Sequence, residues 1–179
     1  MNVYFKPSKS VKMQEKIKIF ITGGTFDKEY NELTGELYFK NSHMYELLEL
    51  GRCRLDVDIE TLMMVDSIEM SKTERNYIIQ KCIEEPIKQI IITHGTDTMV
   101  KTARILADAV NDKTIVLTGA MIPVRFGSSD GLFNMGSALS FVQALPSGVY
   151  VAMNSQIFNQ ENIQNIKKLG IFKGTELAK

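Results

Sequence analysis

The 179-residue chain predicts a single three-layer α/β domain with a mainly parallel five-stranded sheet, flavodoxin-like or Rossmann-like. Three observations lead there. Strand-like and helix-like stretches alternate along the chain, as they do where a parallel sheet is covered on both faces. The length suits one domain with a substantial core rather than two ordinary domains. Two hydroxyl-rich, glycine-containing turns, Thr22-Gly23-Gly24-Thr25 and Thr93-His94-Gly95-Thr96-Asp97-Thr98, each follow an apolar strand-like run. Ligands of open α/β sheets gather at such carboxyl ends of strands, where loops and helix N-termini converge.

Taken in order, residues 1–16 carry Lys6, Lys9, Lys12, Glu15 and Lys16 but lack the apolar stretch of a signal peptide. They read as a solvated extension before the domain of residues 17–179. Residues 17–22 give the first strand. The polar segment 26–41 is too long and irregular for a tight turn and reads as a mobile loop. Ser42 is placed to cap a short helix through Leu50, with Gly51 as its stop. Leu55, Val57, Ile59 and Thr61 alternate with Asp56, Asp58 and Glu60, giving a second strand with one wetter face near a sheet edge. Ser71-Lys72-Thr73-Glu74 is a capping box for a helix reaching Glu85. Residues 89–93 give the third strand, and Met99, Ala103, Leu106 and Val110 form one stripe of the helix after it. A fourth strand over 114–117, a helix over 133–144 and a fifth strand over 149–153 complete the pattern.

Composition narrows the function classes. Acidic and basic residues balance at 21 each, so no overall field draws the chain to nucleic acid or to an anionic membrane. No apolar run approaches the ~20 residues of a membrane-spanning helix. Cys53 and Cys82 are too few for a disulfide scaffold, so free thiols and a cytoplasmic location are expected. The stretch Gly23-Gly24-Thr25-Phe26-Asp27-Lys28 departs from the dinucleotide fingerprint, and no Walker loop is present. His43 and His94 lack Cys or His neighbours at ligand spacing, so neither a metal nor another cofactor is expected, and His94 reads as a hydrogen-bonding structural residue. What remains is glycine, which lets backbone approach a ligand, beside threonine, whose oxygen can accept, donate or attack. The bland alternative is that the threonines only cap helices, Thr96 above all because it opens one.

The joint pattern resembles the bacterial-type asparaginase and glutaminase family. Thr-Gly-Gly-Thr and His-Gly-Thr-Asp-Thr look like that family's two signatures. The match continues through Asp66-Ser67, Gly119-Ala120-Met121-Ile122-Pro123, Ser129-Asp130-Gly131-Leu132-Phe133-Asn134 and Val151-Ala152-Met153-Asn154. It covers residues 17–174, the family's N-terminal domain, and is similar to a short, single-domain branch in which Asp27-Lys28-Glu29-Tyr30 follows the first signature. The resemblance implies a cofactor-independent amidohydrolase that takes asparagine or a related amino-acid amide, assembled as a homodimer or homotetramer. It makes Thr25 the nucleophile and either Tyr38 or Tyr30 the loop tyrosine that serves it. Thr96 and Asp97 become the second catalytic station, with Asp97 also holding the α-amino group. Ser67 would bind the α-carboxylate with Asp66 backbone groups, the Ala120 carbonyl would face the leaving amide, and Gly24 and Gly95 complete the substrate-binding set.

Three departures from the family's pattern carry their own expectations. The family places a lysine twelve residues past the methionine of the last strand, and counting from Met153 reaches Asn165, with Lys167 and Lys168 close by. An asparagine cannot act as the base that a partly desolvated lysine can. Ile68 stands where many members carry glutamine. The acidic group that a second domain supplies across a subunit interface in longer members has no counterpart in the chain. A protein that binds an amino acid on this scaffold without efficient turnover is therefore the second function class.

Overall fold

The computed structural model describes residues 15–166 and 171–174. In chain order its elements are β1 (Ile17–Gly23), β2 (Lys28–Asn31), β3 (Glu36–Phe39), α1 (Met44–Leu50), β4 (Val57–Val65), α2 (Lys72–Glu84), β5 (Gln89–Thr93), α3 (Met99–Ala109), β6 (Thr114–Thr118), α4 (Gly131–Ala144), β7 (Gly148–Met153), β8 (Gln156–Asn159), β9 (Ile163–Ile166) and β10 (Ile171–Gly174). The main sheet runs β4-β1-β5-β6-β7-β8, parallel from β4 to β7, with β8 antiparallel on β7. Its five parallel strands thus follow the flavodoxin-like order, which reverses direction between β1 and β5. That crevice is the topological switch point, where ligands of such sheets bind.

Strict alternation along the central strands builds the two faces. Ile17, Ile19 and Ile21 of β1 join Ile91 and Val116 in a core with Met44 and Leu47 of α1 and Met135, Ala138 and Val142 of α4. Phe20, Ile90, Ile92, Ile115 and Leu117 point the other way, onto Ile78 and Cys82 of α2 and Met99, Ala103 and Leu106 of α3. The stripe expected for α3 is thus the one it buries. β4 is the edge strand its wetter face suggested, though it extends to Val65. The capping box forms as read: the Ser71 amide donates to Glu74 and the Thr73 amide donates to the Ser71 hydroxyl. Both cysteines are free, and burial pushes the Cys82 thiol up to about 12. Among the described residues no helix is long and apolar enough to cross a membrane.

The structure corrects four expectations. The main sheet has six strands rather than five. β8 returns on β7 through Asn154 and Ser155, both left-handed at φ 54° and 60°, as a two-residue hairpin turn requires. Asn-Ser lacks the glycine that usually announces such a turn. The segment 26–41 is an ordered hairpin, in which Lys28 pairs with Phe39 and Glu29 with Tyr38. At its tip Asn31 Oδ1 accepts the Leu33 and Thr34 amides and Gly35 takes φ 74°. The first helix has His43 at its N-cap rather than Ser42, whose hydroxyl accepts the Met44 amide at 3.2 Å, while Gly51 ends the helix after Leu50 as expected. Finally, α3 has Thr98 at its N-cap, so Thr96 lies in the preceding turn and caps no helix there.

Candidate active site

The switch point brings the two threonine-glycine turns into backbone contact. Gly24 has φ 79°, and a Cβ placed on it would fall 2.4 Å from the Gly95 nitrogen. Only glycine relieves both constraints. Gly95 is itself closely covered, since a Cβ there would fall 2.5 Å from the Ser67 hydroxyl. The Gly24 amide donates to the Val65 carbonyl at 3.1 Å, and the Thr22 hydroxyl donates to the Thr93 carbonyl at 2.7 Å. The ends of β1, β4 and β5 are thereby stitched together. Thr25 opens a single 3₁₀ turn, Thr25–Asp27, and is partly exposed above this floor.

Ser67 is fully buried, and its hydroxyl has no hydrogen-bond partner among the described residues. A buried hydroxyl left unpaired is costly, and this one is packed against Gly95. Asp66, next to it, accepts the Ile68 amide at 3.1 Å and an ion pair from Lys28. Burial, the largest single influence, would raise its carboxyl, but the Lys28 hydrogen bond, the Ile68 amide and the charge of Lys28 together hold it below the usual carboxylate range. Ile68 is exposed.

Ala120 is clamped from both sides. Asn134 Nδ2 donates to the Gly119 carbonyl at 2.9 Å, and Asp130 accepts the Met121 amide at 2.9 Å. Asn134 also donates to Asp130 at 2.8 Å and accepts the Asn154 amide at 3.0 Å, joining the ends of β6 and β7. The 129–134 and 151–154 segments thus hold the Ala120 loop in place.

Thr96 is buried, and the partly exposed Asp97 lines a cleft of about 560 Å³ with Lys101, Arg104 and Asn165. Asn165 comes from β9 and donates through Nδ2 to the Thr96 carbonyl at 2.7 Å. Lys167 and Lys168 lie outside the described residues. Tyr38 donates to Glu29 Oε2 at 3.2 Å, on the hairpin face opposite Lys28, and Tyr30 meets Phe126 edge-on at 6.5 Å. Asp27 is buried, accepts the Ser42 hydroxyl at 2.8 Å and ties the hairpin base to α1; burial raises its carboxyl despite that bond.

Sequence reasoning missed the group that fastens the second turn to the Ser67 loop. Arg75 is buried on α2, and its five donors go to Thr102, Met70, Ser71, Thr98 and, at 3.5 Å, the Ser67 carbonyl. The Thr98 hydroxyl donates to that same Ser67 carbonyl at 2.8 Å. Thr102 in turn meets His94 Nε2 at 2.9 Å, while His94 Nδ1 lies 2.8 Å from the Gly95 carbonyl. Since a carbonyl only accepts, Nδ1 carries the proton and Nε2 accepts from Thr102. A signal was available, because Arg75 shares the buried i, i+3, i+7 stripe of Ile78 and Cys82, where a charge must find partners.

Burial, helped by the charge of Arg75, pushes His94 down from 6.5 to about 4. The unfolded chain therefore takes up the proton first, and the stability tied to a neutral His94 is present above pH 6.5 and lost as pH falls towards 4. The unfolding free energy of the wild type, read from urea titrations, should drop across that window more steeply than that of His94→Asn, by up to about 1.4 kcal/mol per pH unit. Equal slopes would remove His94 as the cause.

The domain profile described as Asparaginase, N-terminal matches residues 16–173. The chain is 27% identical over 165 residues to an L-asparaginase of Thermococcus kodakarensis, a match that takes in 87% of this chain and 49% of the relative. The solved structure of the thermostable L-asparaginase from that organism superposes with a TM-score of 0.76 at 28% identity, over 89% of this chain and 51% of the other. One component of the glutamyl-tRNA(Gln) amidotransferase of Methanococcus vannielii is 33% identical over 157 residues, which is 80% of this chain and 35% of that relative. The chain thus spans about half the length, or less, of the curated relatives it matches.

Proposed function

The chain belongs to the asparaginase family, through the N-terminal domain of that family, and from this premise we propose that it hydrolyses the side-chain amide of asparagine or a related amino-acid amide. One observation carries the proposal. The turn holding Thr25 and the turn holding Thr96 and Asp97 meet at Gly24 and Gly95, with the unpaired Ser67 hydroxyl against Gly95. That contact between the turns supports a reading in which Thr25 is the nucleophile, Thr96 and Asp97 the second polar station and Ser67 the anchor for the ligand.

In this reading the Thr25 oxygen attacks the amide carbon and its proton passes to the hairpin tyrosine, Tyr38 or Tyr30. The tetrahedral adduct collapses, the C–N bond breaks, and the nitrogen leaves as ammonia after taking a proton. Water, activated at Thr96, then cleaves the Thr25 ester and releases the acid. Asp97 holds the α-ammonium, Ser67 the α-carboxylate, and the clamped Ala120 carbonyl faces the leaving amide. Neither metal nor organic cofactor enters the scheme. A cytoplasmic homodimer or homotetramer is part of the same reading. Ammonia release from a panel of amino-acid amides tests it, and a pure protein that releases none from any of them would sink it.

The second reading, amino-acid binding without efficient turnover, is favoured by Asn165. Its amide is occupied with the Thr96 carbonyl and supplies no base to the Thr96 hydroxyl. If that asparagine limits turnover, Asn165→Lys should raise the rate of ammonia release roughly tenfold or more. A rate that stays flat would mean that water is activated by another group and that our account of Thr96 is wrong.

A further inference from the structure

We propose that Lys28 is a specificity-determining residue of the amino-acid site proposed above, on which this inference rests, supplying the positive charge that receives a ligand carboxylate beside Asp66 and Ser67. Lys28 ends the 3₁₀ turn that begins at Thr25, and its amide donates to the Thr25 carbonyl. Its position therefore follows that of the nucleophile. The ammonium reaches Asp66, the immediate neighbour of Ser67, and lies 5.6 Å from the centroid of the Phe39 ring. Only 17% of the side chain is exposed. A cation so shielded from water attracts an anion more strongly than an exposed one does.

The hairpin sorts its charges by face. Register puts Lys28 with Phe39 on one side and Glu29 with Tyr38 on the other, where Glu29 Oε1 lies 3.1 Å from His43 Nε2. The cation is thus delivered to the Asp66–Ser67 loop and the carboxylate is carried away from it. The two cations near this loop differ in what they have left to give. Arg75 spends its five donors on carbonyls and hydroxyls, which makes it a brace. An ammonium has three hydrogens, and among the described residues Asp66 takes one of those on Lys28. The remainder are left for a second carboxylate, and the residue after Asp66 is Ser67, whose hydroxyl has no partner among the described residues. Asn165 brings no charge to the second station, whose cleft is lined by the cations Lys101 and Arg104.

Calorimetric titration of the full chain with L-aspartate and with L-aspartic acid α-amide, which lacks the α-carboxylate charge, tests this. Weak binding of the α-amide is read by displacement of aspartate. Lys28→Met should weaken aspartate about tenfold or more and the α-amide less than twofold, while Lys28→Arg keeps most of the aspartate affinity. Equal losses for both ligands would show that Lys28 merely fastens the loop, and no loss for either would remove it from the site; both overturn the proposal. A wild type that binds aspartate but is indifferent to Lys28→Met sinks Lys28 alone. A wild type that binds neither ligand sinks the amino-acid site, and this inference with it.

Discussion

Thr25→Ala is expected to abolish ammonia release, by about 10³-fold or more, while leaving the fold intact. The size follows from the chemistry, because removing the oxygen that attacks removes the covalent route and leaves only what binding and orientation contribute. Stability should barely move. Thr25 is partly exposed at the start of a 3₁₀ turn whose N-cap makes no side-chain hydrogen bond, and the fastening of that turn comes from the Gly24 and Thr22 contacts instead. The two measurements are ammonia release with saturating substrate and the urea midpoint. Thr25→Ser should recover part of the rate, since it restores the hydroxyl. An alanine variant that turns over as the wild type does would discard the threonyl mechanism, whatever the fate of the family assignment.

The largest effect on stability is expected from Arg75→Met, which keeps the length of the side chain and removes its donors. The Met70 carbonyl then loses its guanidinium partner, and Thr98, Thr102 and the Ser67 and Ser71 carbonyls each lose one of their hydrogen bonds in the interior. Stranded buried polar groups of this kind cost about 3 kcal/mol together, which for a chain of this size lowers the melting temperature by roughly 6–12 °C. Because the same guanidinium joins the Ser67 loop to the N-terminus of α3, aspartate binding should weaken as well. A variant that melts with the wild type would show that water replaces Arg75 at no cost, and the brace we describe would not exist.

The central sheet was legible because its strands advertise themselves. Ile17 to Ile21, Gln89 to Thr93 and Thr114 to Thr118 are apolar on both faces, as strands buried on both sides must be, and each is followed by a glycine-bearing turn. The α3 stripe and the Ser71–Glu74 box are likewise local patterns with local causes. The small antiparallel pieces were not legible. β2, β3, β8, β9 and β10 have four residues each. Their pairing depends on turn geometry at Asn154-Ser155 and Asn31–Gly35 more than on a hydrophobic period. The start of α3 at Thr98 rather than Thr96 was likewise not legible, since the Thr98 hydroxyl makes no capping bond and instead donates to the distant Ser67 carbonyl.

The sequence by itself determined the layer architecture, the order of the parallel strands' signatures and which turns would sit at their carboxyl ends, because alternation, capping and glycine placement act over a few neighbouring residues. Only the tertiary structure decided what those turns touch. That Gly24 rests on Gly95, that Ser67 is buried against Gly95 with no partner for its hydroxyl among the described residues, that Asn165 meets the Thr96 carbonyl across 69 residues of chain, and that Arg75 braces the site all depend on contacts between distant segments. They exist because a parallel sheet gathers the ends of its strands at one edge, and close packing there admits a single arrangement of backbone and side chain that no local pattern encodes.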